Sequence, residues 1–293
     1  MMPFQPYFRM LRHKFLPSTS TFSENRRMQN KKLTHKFTLT IVIVVSILSQ
    51  FILSDSNSLL YYLSSTHGRD NNQCGASISA PCRTMGHVMS LIGNSGFVFT
   101  NVTLVLIHDE YTVCEKLPIA IPQNTTVTVV SDSQRMRVVP CSTLNSNSAT
   151  SFMFEFNSGI DVTMKHVEFY GFEHIGLIQH YANDKIHIAF EDVQFTNLKN
   201  VTLLAIDIPD SRDGVVLLNS ILFKNVGMQN MVHPKSILHL QNINAKFENV
   251  TFDNVSSMQG IVTYWFWAYR VYDLSQRTME LDYVTLSDSS QFL

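Results

Sequence analysis

The chain has 293 residues, 45% hydrophobic and 15% charged, enough apolar material for a sizeable core; a disordered chain and a mini-scaffold held by disulfides alone are both excluded. A formal net charge of −1 argues against a general nucleic-acid binder, which needs a basic field over its folded part. The charge is also uneven: the first 37 residues hold eight Lys/Arg and one acid, while the chain after Leu53 holds 14 basic against 22 acidic residues, a net of −8.

Residues 1–36 form a basic region expected to be disordered, and Met28 can open a conventional signal peptide by itself, so residues 1–27 read as an upstream extension or a tail. From Phe37 to Leu53 the apolar run FTLTIVIVVSILSQFIL follows Lys31, Lys32 and Lys36 and precedes Ser54-Asp55-Ser56, the pattern of a secretory h-region (residues 37–54). It is shorter than the roughly 20 apolar residues of a spanning helix and carries Ser46, Ser49 and Gln50, which favours cleavage near Ser54 over a signal anchor. Retained, it would leave the acidic remainder on the outer side, in a type II orientation. Export places residues 55–293 in an oxidising compartment.

Cysteine usage agrees. Cys74, Cys82, Cys114 and Cys141 all lie after the apolar run, an even number that allows three pairings. The preferred set is Cys74–Cys82, stapling a Gly/Ser/Ala-rich loop, and Cys114–Cys141, 27 residues apart. Zinc spacing is missing. Five sequons begin at Asn101, Asn124, Asn200, Asn249 and Asn254 and are the expected glycosylation sites.

Thr84 followed by Met85, Val88, Met89, Leu91 and Ile92 has helical apolar spacing behind a threonine N-cap, and predicts a short amphipathic helix at the start of the folded part. Val102-Leu104-Leu106, Ile119-Ile121, Val127-Val129 and Phe152-Phe154-Phe156 then alternate as strands do.

From residue 162 a single pattern recurs five times: Val162-Met164-Val167-Phe169, Ile188-Phe190-Val193-Phe195, Val216-Leu218-Ile221-Phe223, Ala245-Phe247-Val250-Phe252 and Met279-Leu281-Val284-Leu286. The last positions are 26, 28, 29 and 34 residues apart. An apolar residue at every second place marks a strand with one buried face; the pairs Lys165-His166, Glu191-Asp192, Asn219-Ser220, Glu248-Asn249 and Asp282-Tyr283 shift the alternation by one and mark a bend. Strand, bend, strand and a variable loop form the unit, and self-similarity on this scale predicts an all-β solenoid of stacked coils. A β-propeller needs longer blades. Stacking puts Phe169, Phe195, Phe223, Phe252 and Leu286 in one interior column, and two residues later Asn197, Asn225 and Asn254 stand in register at a turn, where amide side chains can form a ladder. Coils of this length also set Cys114 above Cys141 within disulfide reach. Leu293 follows a last strand with no closing helix, so the exposed end predicts a missing downstream portion, dimer stacking or aggregation.

Tyr61-Tyr62-Leu63-Ser64-Ser65, Gly68-x-Asp70, Cys74-Gly75 and Pro81-Cys82-x-Thr84-Met85 resemble the opening segment of the pectin-lyase-like superfamily of right-handed parallel β-helix proteins. The resemblance covers residues 61–92 as motif and 160–288 as repeat. It implies a right-handed coil with an N-terminal cap helix (cap 61–95, regular coils 160–290), on a fold that serves lyases, hydrolases, esterases and non-catalytic scaffolds alike. The residue sets of the superfamily's hydrolases (N-T-D, D-D, G-H-G, R-I-K) and the R-x-P-x-x-R segment of its pectate lyases do not occur here as sets.

The weak catalytic candidates are Asp207, Asp210, Asp213 and Arg212 in the loop IDIPDSRDG, whose three carboxylates suit calcium or acid/base work and equally a solvated inter-coil loop. His166, His174, His180 and His187 match no metal spacing and read as surface or satisfied polar residues. The aromatic run Tyr264–Tyr272 sends Trp265, Trp267 and Tyr269 to one face of a strand, a binding surface for sugars or proteins if it is not packed under the loop. The expected function is an exported, glycosylated, non-enzymatic β-helix module recognising glycans or extracellular proteins; the alternative is a polysaccharide lyase or glycoside hydrolase acting on uronate-type polymers. No cofactor, metal or nucleic acid is expected, and membrane contact only through the N-terminal apolar segment.

Overall fold

A computed structural model describes residues 58–289 except 96–100, 124, 133–134, 146–150, 157, 181–184, 208–213, 229–235, 258–259 and 266–277. Contacts divide the chain between Ser56 and Asn57, and everything described belongs to the unit Asn57–Leu293. The basic region and the apolar signal segment lie outside the described residues; no described helix is long and apolar enough to cross a membrane.

Strand β1 (Ser58–Leu63) and helix α1 (Met85–Asn94) precede the coils. The first coil is β2 (Asn101–Leu106), β3 (Glu110–Val113) and β4 (Ile119–Ile121); the second is β5 (Thr126–Ser131), β6 (Met136–Pro140), the single turn α2 (Ser142–Asn145) and β7 (Ser151–Phe156). Next come β8 (Ile160–Lys165), β9 (Val167–Tyr170) and β10 (Ile175–His180), then β11 (Ile186–Glu191), β12 (Gln194–Thr196) and β13 (Leu204–Asp207). The last coils are β14 (Val215–Gly227) with β15 (Leu238–Gln241), β16 (Asn244–Ser256) with β17 (Val262–Trp265), and β18 (Met279–Ser287).

Every strand pairing among the described residues is parallel and links a strand to its counterpart one coil away, as in β8–β11 or β10–β13, which makes the protein an all-β solenoid. Three faces result. One runs β1-β2-β5-β8-β11 into the first halves of β14, β16 and β18, and a second runs β3-β6-β9-β12 into their second halves. The third is β4-β7-β10-β13-β15-β17. This third sheet corrects the reading of strand, bend, strand and variable loop, because each loop contains a strand. Two of those strands, β10 and β13, do not alternate: Ile175, Gly176, Leu177 and Ile178 are all buried, as are Leu204, Ala205 and Ile206, so their period-two signal is missing. A smaller correction concerns β7, where Met153 and Phe154 point inward and Phe152 and Phe156 are only partly covered.

The bends are left-handed. His166, Asp192, Ser220, Asn249 and Tyr283 have φ of 55°, 51°, 58°, 54° and 53°, and this one residue moves the alternation so that Met164 and Val167 both face the core. At the next turn Gly171, Asn197, Asn225, Asn254 and Asp288 have φ of 73°, 55°, 53°, 52° and 48°. A left-handed residue other than glycine costs roughly 1–2 kcal/mol, least for Asn and Asp, which explains the composition of this column. Side chains add to it: Asn225 Nδ2 donates to Asn197 Oδ1, and Asn254 Nδ2 to Asn225 Oδ1, both at 2.9 Å.

Inside, Phe169, Phe195, Phe223 and Phe252 stack with centroids 5.5, 5.1 and 4.6 Å apart and planes within 16° of parallel. The column continues in register to Leu286 on β18, where Leu281, Tyr283 and Leu286 are exposed.

The opening segment is fixed by three devices. Cys74 and Cys82 form a disulfide in the core. Gly68 lies so close to neighbouring backbone that a Cβ would sit 2.2 Å from the Cys82 carbonyl oxygen and 2.4 Å from that of Ser64. Asp70 accepts from the Arg83 and Thr84 N–H groups (2.8 and 3.0 Å) and from the Thr84 hydroxyl (2.8 Å). Helix α1 follows, N-capped by Thr84 Oγ1 accepting from His87 N, with Met85, Val88, Met89 and Ile92 in the core.

Candidate functional site

A face whose strands are stacked in register turns sequence offsets of one coil into side-chain neighbours. On the outer side of the first face, positions 126, 161 and 187 form one row through the register of β8 with β5 and β11. Thr126 Oγ1 donates to Asp161 Oδ2 at 3.0 Å, and His187 Nδ1 donates to Asp161 Oδ1 at 3.0 Å. Both carboxylate oxygens are thus engaged. The threonine hydroxyl gives its proton to the carboxylate rather than to an imidazole, so the trio is no nucleophile relay. It is a set of polar groups held in fixed directions.

Beside it, Thr103, Thr128 and Thr163 form a second row, and Lys165 pairs with Glu191 at the strand ends. At the bend, His166 Nδ1 meets Asp192 Oδ2 at 3.0 Å, and Arg135 pairs with the other oxygen. Partial burial pushes the Asp192 carboxyl up, but hydrogen bonds from His166 and Arg135 outweigh it and hold the group below its usual value. Around the corner, on the second face, Arg137 bonds Glu168 at 3.1 Å and lies 4.5 Å over the Tyr170 ring. Lys165, His166 and Arg137 thus meet opposite charges one coil away, and Arg135 meets Asp192 two coils away.

A separate open groove flanks α1, lined by His87, Ser90, Glu115, Lys116 and Pro122 among others. Its carboxylate is committed to the fold: Glu115 accepts from Met85 N (2.8 Å) and Gly86 N at the start of the helix. Tyr111 Oη accepts from Met85 N at 3.1 Å, and its hydrogen has Arg83 O and Glu115 Oε1 in reach, both at 3.1 Å. Burial lifts the Glu115 carboxyl above its ordinary range although these donors pull it down.

The sequence candidates are placed as follows. Asp207 ends β13, half-buried and beside Gln241, while Asp210, Arg212 and Asp213 lie outside the described residues, so no acidic constellation is assembled among the described residues of that loop. Trp265 closes β17 in register with Gln241; Trp267 and Tyr269 lie outside the described residues. Tyr264 packs against the core with its hydroxyl 2.9 Å from both Ile243 O and Thr278 O. Of the sequon residues, Asn101, Asn249 and Asn254 are exposed and Asn200 is half-buried, while Asn124 is not described. The expected second disulfide is not formed in this structure: Cys114 and Cys141 are free thiols. They lie side by side just past the ends of β3 and β6, with Cys141 Sγ 3.0 Å from Thr143 Oγ1.

The polar row was missed because His187 and His166 were weighed as isolated histidines. Each stands 26 residues from its aspartate, Asp161 and Asp192 respectively, the same interval as that from Phe169 to Phe195. That coincidence with the repeat is the signal that finds the pairs. No family model, curated protein or solved structure matches the chain.

Proposed function

We propose that the chain is an exported, glycosylated, right-handed parallel β-helix of the pectin-lyase-like type, closed at its N-terminal end by α1, and that it acts as a non-enzymatic extracellular module recognising glycans or proteins along its flank. The observation that carries this reading is the pair of polar rows on the first face: Thr103, Thr128 and Thr163 in register on consecutive coils, beside the Thr126–Asp161–His187 row whose side chains hold one another in fixed directions. A polymer with repeating hydroxyl groups can meet the threonine hydroxyls coil after coil, so of the two ligand classes the rows favour carbohydrate. The pairing of Asp161, Glu168, Glu191 and Asp192 with neighbouring His, Arg or Lys side chains also supports binding over turnover at these rows, because acid/base catalysis needs carboxyls poised by their surroundings with room for substrate between them.

The test is a glycan array probed with the full chain, alongside Asp161→Ala, His187→Ala, Trp265→Ala and Trp267→Ala. Wild-type binding to a polymeric glycan, reduced about tenfold or more by Asp161→Ala, is the expected result, a loss of about 1.4 kcal/mol. Binding to no glycan removes the sugar reading. Turnover of uronate polymers that depends on Asp207, Asp210 or Asp213 overturns the non-enzymatic one.

A further inference from the structure

The two cysteines outside the core disulfide meet at the surface between consecutive coils. β3 and β6 run in register to Val113 opposite Pro140, and the Cys141 N–H donates to the Val113 carbonyl at 2.9 Å. The ladder therefore continues one residue past the strands and brings Cys114 beside Cys141, with their side chains in hydrogen-bonding contact. Neighbouring strands stand about 4.8 Å apart, within the roughly 4.4–6.8 Å between Cα atoms that a disulfide spans. Cys114 is exposed and Cys141 half-buried, whereas Cys74 and Cys82 are sealed in the core.

The two thiols are not equivalent. Burial raises Cys141, but hydrogen bonds from Cys114, from the Thr143 hydroxyl and from the Leu144 and Thr143 N–H groups leave it below its ordinary value of 9.0. Burial and the contact with Cys141 push Cys114 up to about 11, against the opposing charge of Arg83. Of the two, Cys141 is the one whose surroundings favour the thiolate.

We propose that Cys114 and Cys141 are a reversible dithiol–disulfide pair in which Cys141 attacks an external disulfide and Cys114 resolves the product into an inter-coil cross-link. In the first step the Cys141 thiolate attacks one sulfur of RSSR, the S–S bond breaks, and RS⁻ leaves and is protonated. In the second, Cys114 gives its proton to solvent and attacks the Cys141 sulfur, expelling the second RS⁻. The protein loses two hydrogens and two RSH are formed; excess thiol reverses both steps. Cys114 directly precedes Glu115, so the cross-link closes beside the carboxylate that holds the start of α1.

The experiment uses the full chain and oxidised glutathione. Both thiols react with a thiol reagent before treatment and neither does after it; the peptides carrying Cys114 and Cys141 become linked, and reduced glutathione restores them. Cys114→Ser stops at a glutathione adduct on Cys141. In the wild type, brief alkylation modifies Cys141 faster than Cys114, because the hydrogen bonds that Cys141 receives favour its thiolate while burial and the contact with Cys141 disfavour that of Cys114. That measurement needs no variant, so a folding defect in Cys114→Ser does not obscure it. A stable adduct on wild-type Cys141 without a cross-link, or Cys114 reacting as fast as Cys141, overturns the proposal.

Discussion

Replacing Phe223 by alanine is the sharpest test of the stacked column. Phe223 is fully buried, with the Phe195 ring 5.1 Å away on one side and the Phe252 ring 4.6 Å away on the other. Truncating a buried phenylalanine costs about 3–5 kcal/mol through lost transfer energy and the cavity left behind. Each parallel ring pair is worth roughly 0.5–1.5 kcal/mol beyond buried area, so the loss of two pairs puts Phe223→Ala near the upper end, about 5 kcal/mol. Leu286 occupies the same column one coil beyond Phe252 but is 46% exposed. Its truncation leaves no closed cavity and removes about half of the usual contact, so Leu286→Ala costs about 1 kcal/mol. Urea unfolding of both variants, followed by far-UV circular dichroism, measures the difference, with an unchanged slope guarding against loss of cooperativity between coils. Equal costs, or a Phe223→Ala variant within about 1 kcal/mol of the wild type, would refute a continuous column and with it the coil register.

Asn225 both donates to Asn197 and accepts from Asn254 at φ 53°, so Asn225→Ala loses two amide bonds and strains the backbone, at about 2 kcal/mol, whereas Asn225→Gly keeps the turn and costs less; thermal melts that rank glycine below alanine contradict this. Glu115 and Asp192 give opposite pH slopes. Burial holds Glu115 above its ordinary 4.5, so the folded chain binds that proton more tightly and stability is lost as pH rises from there through the folded value; Glu115→Gln removes this slope. Asp192 lies below its ordinary 3.8, so its contribution is present above that value and lost as pH falls through the folded one, and Asp192→Asn flattens the acid limb of a stability–pH curve. Peptide-N-glycosidase treatment of the chain secreted from eukaryotic cells lowers its mass, with Asn101, Asn249 and Asn254 the accessible sequons; retention in the cytosol or an unchanged mass counts against export.

Much of this architecture is written in spacing. The apolar pairs around each bend, the interior phenylalanines and the asparagine turn recur at nearly constant offsets, and in a solenoid a constant offset is a spatial contact. The threonine-capped helix was equally legible, because its cap and apolar stripe are local. The third sheet was legible only in β4 and β7 and not within the repeat: Leu204, Ala205 and Ile206 are all buried, so no alternation distinguished β13 from a loop.

The amino-acid order alone thus determined an all-β repeat, its bends, its buried column and the helix at its start, since each depends on residues near in sequence or one coil apart. Only the tertiary structure decided that Glu115 is spent on holding α1, that Thr126 joins His187 on Asp161, and that Cys114 and Cys141 stand as thiols. The reason is physical: Glu115 lies 30 residues from Met85 and Thr126 lies 35 from Asp161, intervals set by loops of variable length, so those partners follow from how the strands align and not from the repeat spacing.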